Sequence, residues 1–117
     1  MNPTTAALKD LFDKIPRRHS ADNVKEIYSI VDEYEDLLKL IEAENGYYEQ
    51  NIALYFDDLE TVRAGIKKST DNKASKKVKD QHFDEASTAL KDSMEALIEF
   101  YADGKGDQAW SPQNPFL

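Results

Sequence analysis

At 117 residues without a single cysteine, the chain is the length of one domain, and disulfide scaffolds and thiolate metal sites are excluded. It carries a net charge of −8, and no apolar run approaches the ~18 residues of a membrane span. Four glycines and four prolines disfavour a β-rich fold with many tight turns.

The first helix is predicted from Pro3 to Ile15. Asn2 can cap it, and proline suits the first helical position. Leu8, Leu11, Phe12 and Ile15 recur at helical spacing, and Pro16 ends the run. This N-terminus, MNPTTAALKDLFDK, carries acids where a signal peptide is basic and then apolar, so a cytoplasmic location is expected. Arg17, Arg18 and His19 form a basic connector, with Ser20 or Asp22 able to cap the next helix.

The second helix is predicted over residues 21–44. Val24, Ile27, Val31, Tyr34, Leu38 and Ile41 alternate spacings of three and four, and Ile30 and Leu37 widen the stripe. Asn45-Gly46 reads as a stop, because both residues tolerate the left-handed conformation. The heptad phase runs through it unchanged. An unbroken alternative is therefore a helix of ~48 residues, roughly 70 Å long, dimerising with Asn45 in its seam. The turn is favoured.

A third helix is predicted over residues 47–68, with Tyr48, Ile52, Tyr55, Leu59, Val62 and Ile66 inward and Phe56 at the edge. Residues 69–75 are a polar break. A fourth helix is predicted over residues 75–102, with Phe83, Ala86, Leu90, Met94, Leu97 and Tyr101 on one face. The expected fold is all-α: an antiparallel bundle of three long helices plus a short N-terminal helix. Residues 1–103 form the bundle and residues 104–117 an extended, non-helical tail. Trp110 and Phe116 in that tail either fold back over the bundle end or form a docking peptide. The closing Asn-Pro-Phe resembles the short ligand of EH domains.

Charge is segregated: −10 over residues 20–60 against +5 over residues 67–79. An acidic body repels nucleic-acid backbone and attracts basic proteins. Lys67, Lys68, Lys73, Lys76, Lys77 and Lys79 are expected to be a solvated junction pairing with neighbouring acids. A nucleic-acid partner is not expected, nor is a membrane. No catalytic chemistry is evident. There is no His-Glu-x-x-His, no phosphate loop and no nucleophile elbow, and the two histidines have no Glu-x-x-His context. Neither enzyme activity, metal nor cofactor is expected.

What remains is a protein-binding face. Tyr47 and Leu54 lie seven residues apart and off the core stripe, with Glu49, Asn51, Asp57 and Asp58 around them. Tyrosine is a recurrent hot-spot residue, and surrounding acids steer a basic partner. Tyr47-Tyr48 beside acidic helix residues resembles the surface of the immunity proteins that block colicin nucleases, although the Gly-Asp context of that family is missing. Tyr48-Glu49-Gln50 with Phe56 is similar to the Trp-x-Gly turn of type VII secretion substrates, with tyrosine for tryptophan and glutamine for glycine. That family's tail signal is not matched, since Lys105 stands four residues after Tyr101. Neither resemblance carries a functional residue over. The expectation is a monomeric or homodimeric inhibitor, of immunity or anti-defence type, acting on a basic or nucleic-acid-handling protein. The alternative is a structural or secretion-associated module that works by coiled-coil self-association or by pairing with a partner helix.

Overall fold

Capping side chains decide where three of the helices begin, at Ser20, Asn45 and Ser75. Residues 3–102 are described by the computed structural model, as α1 (Pro3–Lys14), α2 (Ala21–Glu42), α3 (Gly46–Asn51), α4 (Ala53–Ser69) and α5 (Lys76–Ala102). No strand occurs among the described residues, so the chain is all-α. Ser20 is extended at φ −158°, and its hydroxyl accepts the Asn23 N–H at 3.0 Å, which starts α2. The Ser75 hydroxyl accepts the Val78 N–H at 3.2 Å and starts α5. Each satisfies one of the backbone donors that the first turn of a helix leaves orphaned. Asn2 and residues 103–117, with Trp110 and Phe116, lie outside the described residues.

The chain does break at Asn45-Gly46, but by another device than a left-handed stop. Asn45 is extended at φ −169°, and its side-chain oxygen accepts the Tyr48 N–H at 3.0 Å. It therefore opens α3 rather than closing α2, which ends at Glu42. The predicted helix over residues 47–68 is in turn divided in two at Ile52, where φ is −101° and ψ is 0°. No proline or glycine causes this break. The Asn51 side chain donates to the Tyr47 carbonyl at 2.8 Å, a local bond that competes with the regular helical ladder. Beyond it, the Tyr55 N–H reaches the Ile52 carbonyl, a tighter i−3 bond.

The core follows the predicted stripes. Ile27, Val31, Tyr34, Leu38 and Ile41 of α2 are fully buried, as are Leu59 and Ile66 of α4 and Phe83, Leu90, Met94 and Leu97 of α5. Val24 is the exception and is only half-buried. Each fully buried side chain contributes about 1.5–3 kcal/mol of apolar transfer. Helix α4 packs along α5, α2 packs on α4, and α1 bridges α2 and α5. Gly65 permits the close approach of α4 to α5, because a Cβ there would stand 3.1 Å from the Ala86 Cβ. Gly65 of α4 lies against Ala86 of α5, and Tyr48 of α3 against Tyr101 near the end of α5. The molecule is elongated, 59 × 22 × 17 Å.

Two polar links tie α2 to its neighbours, one inside the core and one at the surface. The Tyr34 hydroxyl and the Ser93 hydroxyl are 2.8 Å apart inside the core, joining α2 to α5. Arg63 of α4 reaches Asp32 at 2.9 Å and Glu35 at 3.3 Å on α2. Long charged pairs of this exposed kind contribute little each, about 0–1 kcal/mol. Their effect is on register: they fix which turn of α2 faces which turn of α4.

Candidate functional site

The expected binding face is divided by the break at Ile52. Tyr47 and Leu54 share a face only if the helix between them is continuous, and it is not. Tyr47 is half-buried and packs against the core. Its ring stacks on Phe100 of α5 at 5.9 Å and 18°, and meets Tyr48 edge-on at 5.8 Å. Tyr48 is buried among Phe100 at 5.8 Å and Tyr101 at 5.3 Å. Four rings thus close this end of the molecule, and such pairs are worth about 0.5–1.5 kcal/mol beyond their buried area. The Tyr101 hydroxyl bonds to Glu44, and burial together with that carboxylate pushes its phenol up to about 12.

Leu54 remains outside. It sits in the first turn of α4 and is 56% exposed. Beside it runs a shallow groove between α4 and α5, walled by Tyr55, Asp58, Thr61, Ala89, Asp92 and Ala96. Asp58 is half-buried, while Glu49, Asn51, Asp57 and Asp92 are exposed. None of these carboxylates is engaged in an ion pair among the described residues. Burial first, and then the charge of Asp58, raise the phenol of Tyr55 above its ordinary value. The Asn51 amide is already used, since it donates to the Tyr47 carbonyl. This surface offers an apolar anchor at Leu54 with uncompensated negative charge next to it.

Sequence reasoning missed Leu40, which is 60% exposed on α2, and Val78, 40% exposed among the lysines. Both stand off the heptad stripes, and that was the available signal. It also missed the cavity at the joint of α1 and α5, where Arg17 and Lys91 face Asp84, Asp92 and Glu95 beside Phe12. There the Lys91 ammonium lies 5.3 Å over the Phe12 ring. Among the described residues no group of three metal-ligating side chains converges, and no helix is long and apolar enough to cross a membrane. Compared with known protein families, curated proteins and solved structures, the chain matches none.

Proposed function

We propose that this chain is a non-enzymatic, acidic helical binding module that inhibits a basic or nucleic-acid-handling protein, in the manner of an immunity or anti-defence protein. The architecture we assign to it is an antiparallel bundle of three long helical segments, α2, α3–α4 and α5, with α1 as the short fourth. It would act in the cytoplasm. The observation that supports the reading is Leu54, exposed beside Asp57, Asp58 and Asp92, none of them paired to a cation among the described residues. A cationic partner gains apolar contact and charge pairing in one place there. Glu49 extends the negative field along α3. Tyr47 then serves mainly by holding α3 against Phe100, with only its exposed part available to a partner.

The test is calorimetric titration against the basic protein that co-purifies with the chain from its source cells. Leu54→Ala should weaken that complex by about 2 kcal/mol, the size of a hot spot, and leave the fold intact. Added salt should weaken it further. If Leu54→Ala and Asp57→Asn/Asp58→Asn both bind as tightly as the parent, this face is not the binding site. Self-association is the second reading. It is favoured by the small side chains Ala64, Gly65 and Ala89 along the α4–α5 groove, where another helix could approach closely. Light scattering separates the two, since a salt-insensitive dimer supports self-association and a monomer supports the inhibitor.

A further inference from the structure

The lysines of residues 67–79 do not pair with neighbouring acids as the sequence led one to expect. Among the described residues only Lys76 does so, with Asp80 at 3.4 Å, and its side chain is still 89% exposed. More cations join them from elsewhere in the chain. The connector between α1 and α2 is docked against the start of α5 by three contacts. His19 Nδ1 lies 3.1 Å from Asp80 Oδ1, the His19 ring lies 5.5 Å from Phe83, and the Ser87 hydroxyl donates to the Pro16 carbonyl at 2.7 Å. Arg17 and Arg18 are thereby carried to the same end of the molecule as Lys73, Lys76 and Lys77, and all five are exposed. Asp80 is held between His19 and Lys76, so it is not free to neutralise the rest. Asp22, Asp71, Asp84 and Glu85 also lie at this end, and Asp92 and Glu95 line the cavity that Arg17 enters, so the surplus of positive charge rests on Lys67, Lys68, Lys73, Lys76, Lys77 and Lys79, which have Asp71 as the one acid within their own segment.

We propose that this end of the molecule, where Arg17 and Arg18 meet the lysines of residues 67–79, is a docking site for the phosphate backbone of a nucleic-acid duplex. The acidic body does not forbid it. Glu60, the nearest acid before the lysines on α4, lies eight residues before Lys68, roughly 12 Å at 1.5 Å per residue. That exceeds the ~8 Å over which physiological salt screens exposed charges. Arginine and lysine on flexible stems suit a line of evenly spaced phosphates, and each phosphate neutralised releases counterions. A single-stranded ligand fits less well, because bases would need rings to stack on. Phe83 is fully buried, with its ring tilted against His19. A membrane surface fits less well too, since Val78 is the lone exposed large apolar side chain at this end among the described residues. The site's lysines stand apart from the Leu54 face, while Asp92 lines both the Leu54 groove and the cavity that Arg17 enters.

The experiment is fluorescence anisotropy of the full chain with a short DNA duplex, and with an RNA duplex of the same sequence, between about 50 and 200 mM salt. Log affinity should fall with log salt at a slope of about −4, as five or so phosphate contacts require. Arg17→Ala/Arg18→Ala should reduce that slope by about 2, and so should Lys73→Ala/Lys77→Ala, whatever the duplex sequence. Arg17→Lys/Arg18→Lys should bind as the parent does. Circular dichroism confirms that each variant folds. The proposal is overturned if the duplexes fail to bind at low salt, or if the alanine variant of the two arginines binds like the parent. Binding to anionic vesicles without binding to either duplex overturns it as well.

Discussion

The two ends of the α4–α5 pair are held by opposite means. At one end Tyr47, Tyr48, Phe100 and Tyr101 form a ring cluster, and negative charge lies outside it. At the other, a polar clasp of His19, Asp80 and Lys76 sits over Phe83, and positive charge lies outside. The ring end draws its hold from buried apolar area. The clasp draws on a part-buried His19–Asp80 hydrogen bond and one exposed Lys76–Asp80 pair worth only about 0–1 kcal/mol, so its stability rests on Phe83 beneath it. Side chains that carry charge at either end are largely free of structural duty, and that leaves them available to partners.

The largest effect should come from breaking the ring end. Tyr48→Ala removes an aromatic side chain that is 1% exposed and should cost about 3–5 kcal/mol in urea denaturation. The matching truncation at the other end, Lys77→Ala, should stay within about 0.5 kcal/mol. A cost for Lys77→Ala as large as that for Tyr48→Ala would end the contrast.

Tyr34→Phe tests the link between the ends. It leaves the buried Ser93 hydroxyl without its Tyr34 partner at 2.8 Å and should cost about 1–2 kcal/mol. Restoring stability with Tyr34→Phe/Ser93→Ala would show that the penalty belongs to the abandoned hydroxyl.

The mildest change sharpens the comparison through pH. The Tyr101 phenol is pushed up to about 12, against an unfolded value of 10.0. The folded chain therefore keeps this proton where the unfolded chain releases it, and stability falls as pH rises from 10 towards 12. Burial moves Tyr34 the same way. Tyr101→Phe should flatten part of this alkaline loss in thermal melts, whereas Arg17→Ala/Arg18→Ala at the opposite end should leave its shape unchanged.

Periodicity made the core legible. Residues at spacings of three and four, from Ile27 to Ile41 and from Phe83 to Leu97, are buried where the stripes place them, because a helix fixes side-chain direction every 3.6 residues. The same rule failed for Tyr47. It assumes an unbroken helix, and the Asn51 side chain ends that assumption at Ile52. Leu54 kept its exposed place, while Tyr47 turned to Phe100, a residue 53 positions away that no local pattern could identify.

Composition and spacing by themselves determined the all-helical class, the apolar stripes and the uneven run of charge along the chain. These are local properties, set by backbone geometry and by neighbours within a turn or two. Tertiary structure alone decided that Tyr34 meets Ser93, that Arg63 spans Asp32 and Glu35, and that the connector at Pro16 and His19 docks on Ser87 and Asp80 of α5. Such meetings depend on how whole helices are stacked, and stacking is governed by total buried area rather than by any one sequence interval.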